Sequence, residues 1–469
     1  MASKTHLDNV APFIKDQDHI TFVTPSSSNY DTVRESYILN TGITPLGIAR
    51  PKSAADVASL IKLCTTHSIP FTVRSGGHDL FGRCFAPDAL AIDMRDLNSV
   101  TIDEDNMTAT IGGGIVAGDL AKALQKRSFA APMGSIGSVG YIGWASHGGY
   151  GQLGSDYGLG VDGIVGATVV NAEGKVVDAD EEMLVGIKGG GGCLGVIVEM
   201  KIKVARLEKV LAGLIVYESS DLTKTVSTFY SGYQALDNSG NIPSPLGIQS
   251  SVANIPGLGK SFLIGFLWSS PDMEHGQRVL DQLKSLGTAI HVDVKEKTIP
   301  QWQADTDALV HHTTYGRDTS VSLHKFTNDT LEVVGKHVAQ MPDDPATLFS
   351  IHELRGASSS CSSSFSSSSV FPNRIPHLVV ELIASSSTSE GTKAAWDWAS
   401  AFKRELEDVA RKDGVLLERT YVSLTPPENY DFEVLYGDKW EVLKELKRKY
   451  DPGNVFERAV VKFREEDLK

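Results

Sequence analysis

Apolar residues first recur at helical spacing after Pro51, where Val57, Leu60, Ile61 and Cys64 predict a helix over 54–67. Pro70, Phe71, Thr72 and Val73 then form a short run that reads as a buried strand ending at two glycines. β-branched runs predict further strands over 89–94, 108–111, 164–171 and 196–204, with a helix over 117–126 among them. Strand and helix alternate through this first block, about 47–204, which makes it α/β or α+β. Beyond residue 207 the segments lengthen. Strands over 210–216, 261–267 and 378–384 alternate with amphipathic helices over 220–236 and 391–412, the pattern of a sheet with helices on one face. The last block, from about 421, holds a helix over 439–449 and a turn over 450–454. Residues 358–369 are nearly all serine, cannot bury a core, and read as a surface loop or disordered segment.

A chain of 469 residues is too long for one ordinary core. Its formal charge of −14 argues against nucleic-acid and anionic-membrane partners, since phosphate binding needs clustered Lys and Arg. The first 18 residues lack the apolar run of a signal peptide, and no stretch approaches the ~18 apolar residues of a membrane span. Cys64, Cys84, Cys193 and Cys361 are irregularly spaced with no CxxC pair, which suits reduced thiols and no metal site. These features lead to the expectation of a cytoplasmic enzyme.

The chemistry sits in glycine clusters. Arg74-Ser75-Gly76-Gly77-His78 ends a strand with two glycines, so backbone N–H groups can approach a pyrophosphate and the histidine stays beside whatever the turn binds. A plain turn with a solvent-facing histidine is the other reading of this segment alone. The second cluster runs from Gly134 through Gly137, Gly140 and Gly143 to Gly151, and the third spans Gly189 to Gly192 before a strand. None fits the strand–GxGxxG–helix fingerprint, and there is no GxxxxGK[ST], HExxH or GxSxG.

Taken in order, RSGGHD at Arg74 to Asp79, GGG at Gly112 to Gly114, GGYG ending at Gly151 with YGL at Tyr157 to Leu159, and the tail KYDPGNVF at Lys449 to Phe456 resemble a known family. The chain is similar to FAD-linked oxidases of the vanillyl-alcohol oxidase, PCMH-type superfamily, most of all to the branch of berberine bridge enzyme and 6-hydroxy-D-nicotine oxidase. The resemblance implies an α+β fold. A PCMH-type FAD-binding domain would span 1–205 and a substrate domain with a helix-covered antiparallel sheet 206–420, with 421–469 returning to the FAD domain. It implies FAD bound covalently through His78, with the backbone of Arg74, Ser75, Gly76 and Gly77 at the pyrophosphate. Val139, Gly140 and Gly143 would lie along the flavin, beside His147 and Gly148. Val196 and Ile197 would lie near the adenosine, and Asn454 and Phe456 would close over the ring.

The departures are specific. Where relatives carry a cysteine for a second flavin link this chain has Ile136, so no cysteinyl link is expected, and Leu80 stands where a tyrosine is frequent. The wall of the site is not of the plant type. Three residues are candidates for the base. Glu381 interrupts an apolar strand, where a buried lone carboxylate is costly without a purpose; exposure or pairing with an arginine is the alternative. Tyr150 and Tyr421 follow. His311 and His312 read as a surface pair, Trp396 and Trp398 as packing, and Lys444, Lys447 and Arg448 as a solvated helix face. The resulting expectation is an oxidase passing hydride from a small organic molecule, such as a secondary metabolite, to flavin and then to oxygen. A flavin-bound cyclase or pericyclase without net redox change is the second reading, and an inactive flavoprotein scaffold the third.

Overall fold

In the computed structural model, which describes residues 2–17, 19–39, 42–356 and 368–469, the first predicted helix runs Ala54–Thr66. A capping box starts it: the Asp56 N–H donates to Ser53 Oγ and the Ser53 N–H to the Asp56 carboxylate. Val57, Leu60 and Ile61 are fully buried, and each such side chain contributes roughly 1.5–3 kcal/mol. They cover a four-stranded sheet in the order Thr21–Val23, Gly47–Arg50, Leu90–Asp93, Phe71–Arg74. The last three strands pair in parallel, which puts the RSGGH turn at the open end of a strand on the sheet's edge. A five-stranded antiparallel sheet follows in the order Val100–Asp103, Thr108–Gly112, Val196–Lys203, Ile164–Val170, Val176–Asp178. Every predicted strand of this block is present, and the mixture of sheet types makes the architecture α+β.

The second half builds one eight-stranded antiparallel sheet. Its order is Ala289–Lys297, Val210–Tyr217, Gly259–Trp268, Leu246–Ile255, Leu348–Leu354, His377–Ser386, Tyr315–Leu323, Leu416–Leu417. Helices Leu222–Asn238, Met273–Lys284, Asn328–Ala339 and Thr392–Lys412 cover one face. The period-two alternation of strand His377–Ser386 decides what faces where. Val380, Leu382 and Ala384 enter the core under the helices, whereas Val379 joins a separate cluster with Tyr37, Tyr150 and Tyr421. The uncovered face is a wall of the cavity described below.

Several expectations change. The amino terminus, for which no element was expected, forms a helix, Ala2–Lys15. Of the serine-rich stretch, residues 358–367 lie outside the described residues, as does Cys361; Ser369 is buried and donates to the Lys188 carbonyl oxygen at 2.7 Å. The reading of Lys447 as solvated is wrong. Helix Lys439–Tyr450 turns Leu443, Leu446 and Lys447 inward. The Lys447 ammonium donates to the Cys193 carbonyl (2.9 Å) and to Asp451 (2.6 Å), and both charged side chains are fully buried. Asp451 also accepts from the N–H groups of Val455 and Phe456, so the tail turn is tied to the third glycine cluster by a saturated ion pair. Arg448 lies partly buried on the same helix and donates to the Asp467 carbonyl oxygen. Among the described residues no helix is long and apolar enough to cross a membrane.

Candidate active site

The RSGGH turn is held from behind. The Arg74 guanidinium, 2% exposed, points inward and donates to the carbonyl oxygens of Val33 (2.7 Å) and Glu35. Ser75 donates to the Gly113 carbonyl oxygen at 3.1 Å, joining the turn to the Gly112–Gly114 segment. Gly76 and Gly140 stand back to back: a Cβ on Gly76 would lie 2.3 Å from the Gly140 nitrogen, closer than any atom pair tolerates. Two glycine clusters thus form one backbone surface, and it opens on a cavity of about 680 Å³, within the usual range for ligand pockets.

His78 stands at the end of that surface. Its ring stacks on Tyr37 with centroids 4.1 Å apart at 18°, and its Nε2 is buried without a hydrogen-bond partner. Burial, assisted by His312, lowers its pKa to about 4, so the imidazole is neutral with a free lone pair at neutral pH. His312, exposed as expected, meets the His78 ring edge-on at 6.4 Å, and His311 lines the cavity, so the histidine pair marks its rim.

Most expected cofactor residues share this cavity. Arg74, Ser75, Gly76, Gly77 and His78 line it, as do Val139, Gly140, Gly143 and His147, and at the far end Val196, Ile197 and Phe456. His147 donates through Nδ1 to the Gly143 carbonyl (2.8 Å), its Nε2 is buried without a partner, and burial brings its pKa to about 4. Gly148 and Asn454 lie off the wall. A Cβ on Gly148 would strike the Phe371 ring at 2.5 Å, and the Asn454 N–H donates to the Asp451 carbonyl oxygen at 3.0 Å within the tail turn. Phe456 packs edge-on against Phe71 at 6.2 Å, at the opposite end of strand Phe71–Arg74 from His78. Of the two tail residues expected to close over the ring, Phe456 lines the cavity and Asn454 does not.

Glu381 faces the cavity from the sheet and is 7% exposed. It is not exposed and its partner is no arginine. His352 Nε2 donates to Glu381 Oε2 at 2.8 Å, and the buried carboxyl of Asp318, whose Oδ2 has no hydrogen-bond partner, acts electrostatically on the same carboxylate. Two carboxyls that close need one proton between them. Burial, with Glu381 adding to it, pushes Asp318 well above the carboxylate range. Burial alone would raise Glu381 too, but His352 and Asp318 more than offset it and its pKa falls below the usual value. Asp318 holds the proton and Glu381 stays ionised. Neither Asp318 nor His352 was singled out from sequence; register brings them in, since Asp318 pairs with Ile383 and His352 with Val379, on either side of Glu381.

Tyr150 and Tyr421 line the same cavity with ring centroids 4.4 Å apart. The Tyr421 phenol accepts from the Gly149 N–H at 3.3 Å, and the Tyr150 hydroxyl lies 3.0 Å from His377 Nε2. Burial raises the pKa of both phenols. Ile136 lines the cavity where a cysteinyl link would start.

Comparison with known proteins agrees with this geometry. Residues 45–180 match the FAD binding domain family. The chain is 34% identical over 443 residues to the FAD-linked oxidoreductase aurO of Gibberella zeae, covering 92% of this chain and 83% of that protein. It is 36% identical over 201 residues to (R)-6-hydroxynicotine oxidase of Paenarthrobacter nicotinovorans, 42% of this chain and 44% of that one. In fold it matches the crystal structure of 6-hydroxy-D-nicotine oxidase from Arthrobacter nicotinovorans, with a TM-score of 0.80 at 22% identity over 94% of this chain and 97% of that chain. The berberine bridge enzyme-like 28 structure from Arabidopsis thaliana matches with a TM-score of 0.79 at 20% identity, over 94% and 98% of the two chains.

Proposed function

The chain belongs to the FAD-linked oxidoreductases of the berberine-bridge-enzyme and 6-hydroxynicotine-oxidase type, and from that membership we propose an oxidase in which His78 carries the flavin and Glu381 takes the substrate proton. One observation carries the reading: a single cavity joins the RSGGH turn, with the unpartnered Nε2 of His78, to the ionised carboxylate of Glu381. The residues present fit FAD. The Gly76–Gly140 surface offers backbone where a pyrophosphate needs it, and His78 offers a neutral imidazole lone pair for attachment at the flavin 8α-methyl carbon. With Ile136 at the other position, there is no cysteinyl link. Bound FAD supplies the redox chemistry, accepting a hydride from a substrate carbon and handing the electrons to oxygen.

The chain's own residues do the rest. Tyr37 stacks on His78 and fixes the plane of its ring. Glu381 is an ionised base, and His352 holds its carboxylate in place by a hydrogen bond. A base that removes an O–H or N–H proton as hydride leaves the adjacent carbon contributes about 10²–10⁴ in rate. Residues 1–205 and 421–469 form the cofactor side, Trp440, Leu443 and Leu446 packing on Ile187 and Leu194, and 206–420 form the substrate side. The substrate is a small organic molecule of the secondary-metabolite kind. The activities named for the relatives are oxidoreductions, so a non-redox cyclase gains no support.

The test has two arms. Protein denatured in acid should keep its yellow colour on the polypeptide, on the peptide containing His78; flavin released quantitatively would refute the attachment. On anaerobic mixing with substrate, Glu381→Gln should reduce flavin about 10²-fold more slowly at neutral pH, with flavin still attached. A wild-type rate from pH 5 to 9 would move the base to Tyr150.

A further inference from the structure

The reaction above makes no use of His377, a buried imidazole directly behind Tyr150. His377 opens strand His377–Ser386 and is 2% exposed. Its Nδ1 lies 2.7 Å from the Ile375 carbonyl oxygen. A carbonyl can only accept, so Nδ1 carries the hydrogen, and a neutral ring then presents a bare lone pair at Nε2. Burial keeps the ring neutral, bringing its pKa to about 4. The Tyr150 hydroxyl, 3.0 Å from Nε2, must therefore donate to it.

A phenol has one hydrogen. With that hydrogen directed into the wall, the oxygen of Tyr150, a residue of the cavity lining, keeps only lone pairs for a ligand. We propose that His377 is a positioning residue that makes Tyr150 an acceptor-only contact, so that the site selects ligands bringing an O–H or N–H donor to it and rejects their alkylated counterparts. This deepens the oxidase reading, on which it rests for the ligand's presence in the cavity. A ligand with an ether oxygen or ketone there would set acceptor against acceptor and leave a buried group unpaired, the kind of mismatch that separates close analogues most strongly. The other groups facing the pair are Tyr421, Asn373 and Arg374 around Tyr150, and His324 beyond His377; Arg374 is engaged by Asp162 at 2.7 Å.

Phenol and anisole differ by the donor alone, and both can be titrated against the flavin-loaded protein with flavin absorbance as the readout. Phenol should bind about tenfold or more tightly than anisole between pH 6 and 8. In His377→Phe the Tyr150 hydroxyl is free to turn and donate, so the preference should shrink to about twofold or less, as in Tyr150→Phe. The double variant should lose no more than either single one. Equal binding of both probes to the wild type, or an undiminished preference in His377→Phe, would overturn the proposal. Nitrogen-15 NMR of the histidine-labelled wild type reads the tautomer without relying on a variant at His377. The imidazole whose signals shift in Tyr150→Phe should show hydrogen on Nδ1 and none on Nε2, and the opposite tautomer would sink the idea. Flavin reduction by Glu381→Gln is a separate measurement, so failure of the base assignment and failure of this one are distinguishable.

Discussion

The two sides of the cavity are built by opposite means. On the side of the RSGGH turn, backbone does the work: Gly76 and Gly140 meet at a distance that excludes a single methyl, and Arg74 and Ser75 are spent on carbonyls behind the surface. On the sheet side the reactive groups are side chains, Glu381, His352 and Asp318, carried by three adjacent strands. That side has slack. The hydroxyls of Ser320 and Ser322, on the strand beside Glu381, are buried without partners. The difference teaches how such a pocket divides its labour. A surface that holds the same dinucleotide at every turnover gains from rigidity, whereas a wall that meets the substrate can be altered one side chain at a time.

Four measurements would break or sharpen this contrast. The largest effect should come from the strut behind the cofactor side. Lys447→Met leaves Asp451 buried and unpaired and should cost about 3–5 kcal/mol in urea unfolding, whereas Val442→Ala, at an exposed position of the same helix, should stay within about 0.5 kcal/mol. Acid comes next, through one histidine on each side. His147 and His377 both have folded pKa values lowered to about 4, so between there and about 6.5 the unfolded chain binds protons that the folded chain excludes. Their contribution is complete above pH 6.5 and is lost as the pH falls toward 4, about 3 kcal/mol for each. Unfolding curves across that range should flatten in His147→Gln and His377→Gln alike; an unchanged slope would mean the rings are hydrated. Third, Gly76→Ala forces a methyl against backbone that cannot yield, so it should cost about 1–3 kcal/mol and lower the flavin content of purified protein. A fully loaded, equally stable variant would show that the rigid side has room. The smallest effect belongs to the sheet: Ser320→Ala removes a hydroxyl that bonds nothing, so stability should change by no more than about 0.5 kcal/mol or rise slightly.

How much was legible beforehand follows the same division. The strand over Phe71–Arg74, the turn after it and helix Ala54–Thr66 were all readable, because each rests on residues within a few positions of one another: an apolar run, two glycines, a capping box. Glu381 was readable as an anomaly, a carboxylate in an apolar strand. Its partners were not, since His352 and Asp318 carry no local signal and reach it only through strand register. Lys447 was misread because three basic residues on one helix resemble a solvated face; Asp451, four positions on, was the clue that the face turns inward. His377 fell one residue outside the strand expected over 378–384, and its partner Tyr150 lies 227 positions away in the chain.

The sequence by itself determined the α+β elements, the glycine-built backbone surface and the histidine at its end, because these depend on short-range patterns of glycine, apolar residues and turns. Only the tertiary structure decided that Asp318 and His352 keep Glu381 ionised, that Asn454 stays off the cavity wall, and that Tyr150 turns its hydrogen toward His377. Those outcomes depend on burial and on contacts between distant strands, and both the protonation of a carboxyl and the direction of a hydroxyl are set by what surrounds them in space.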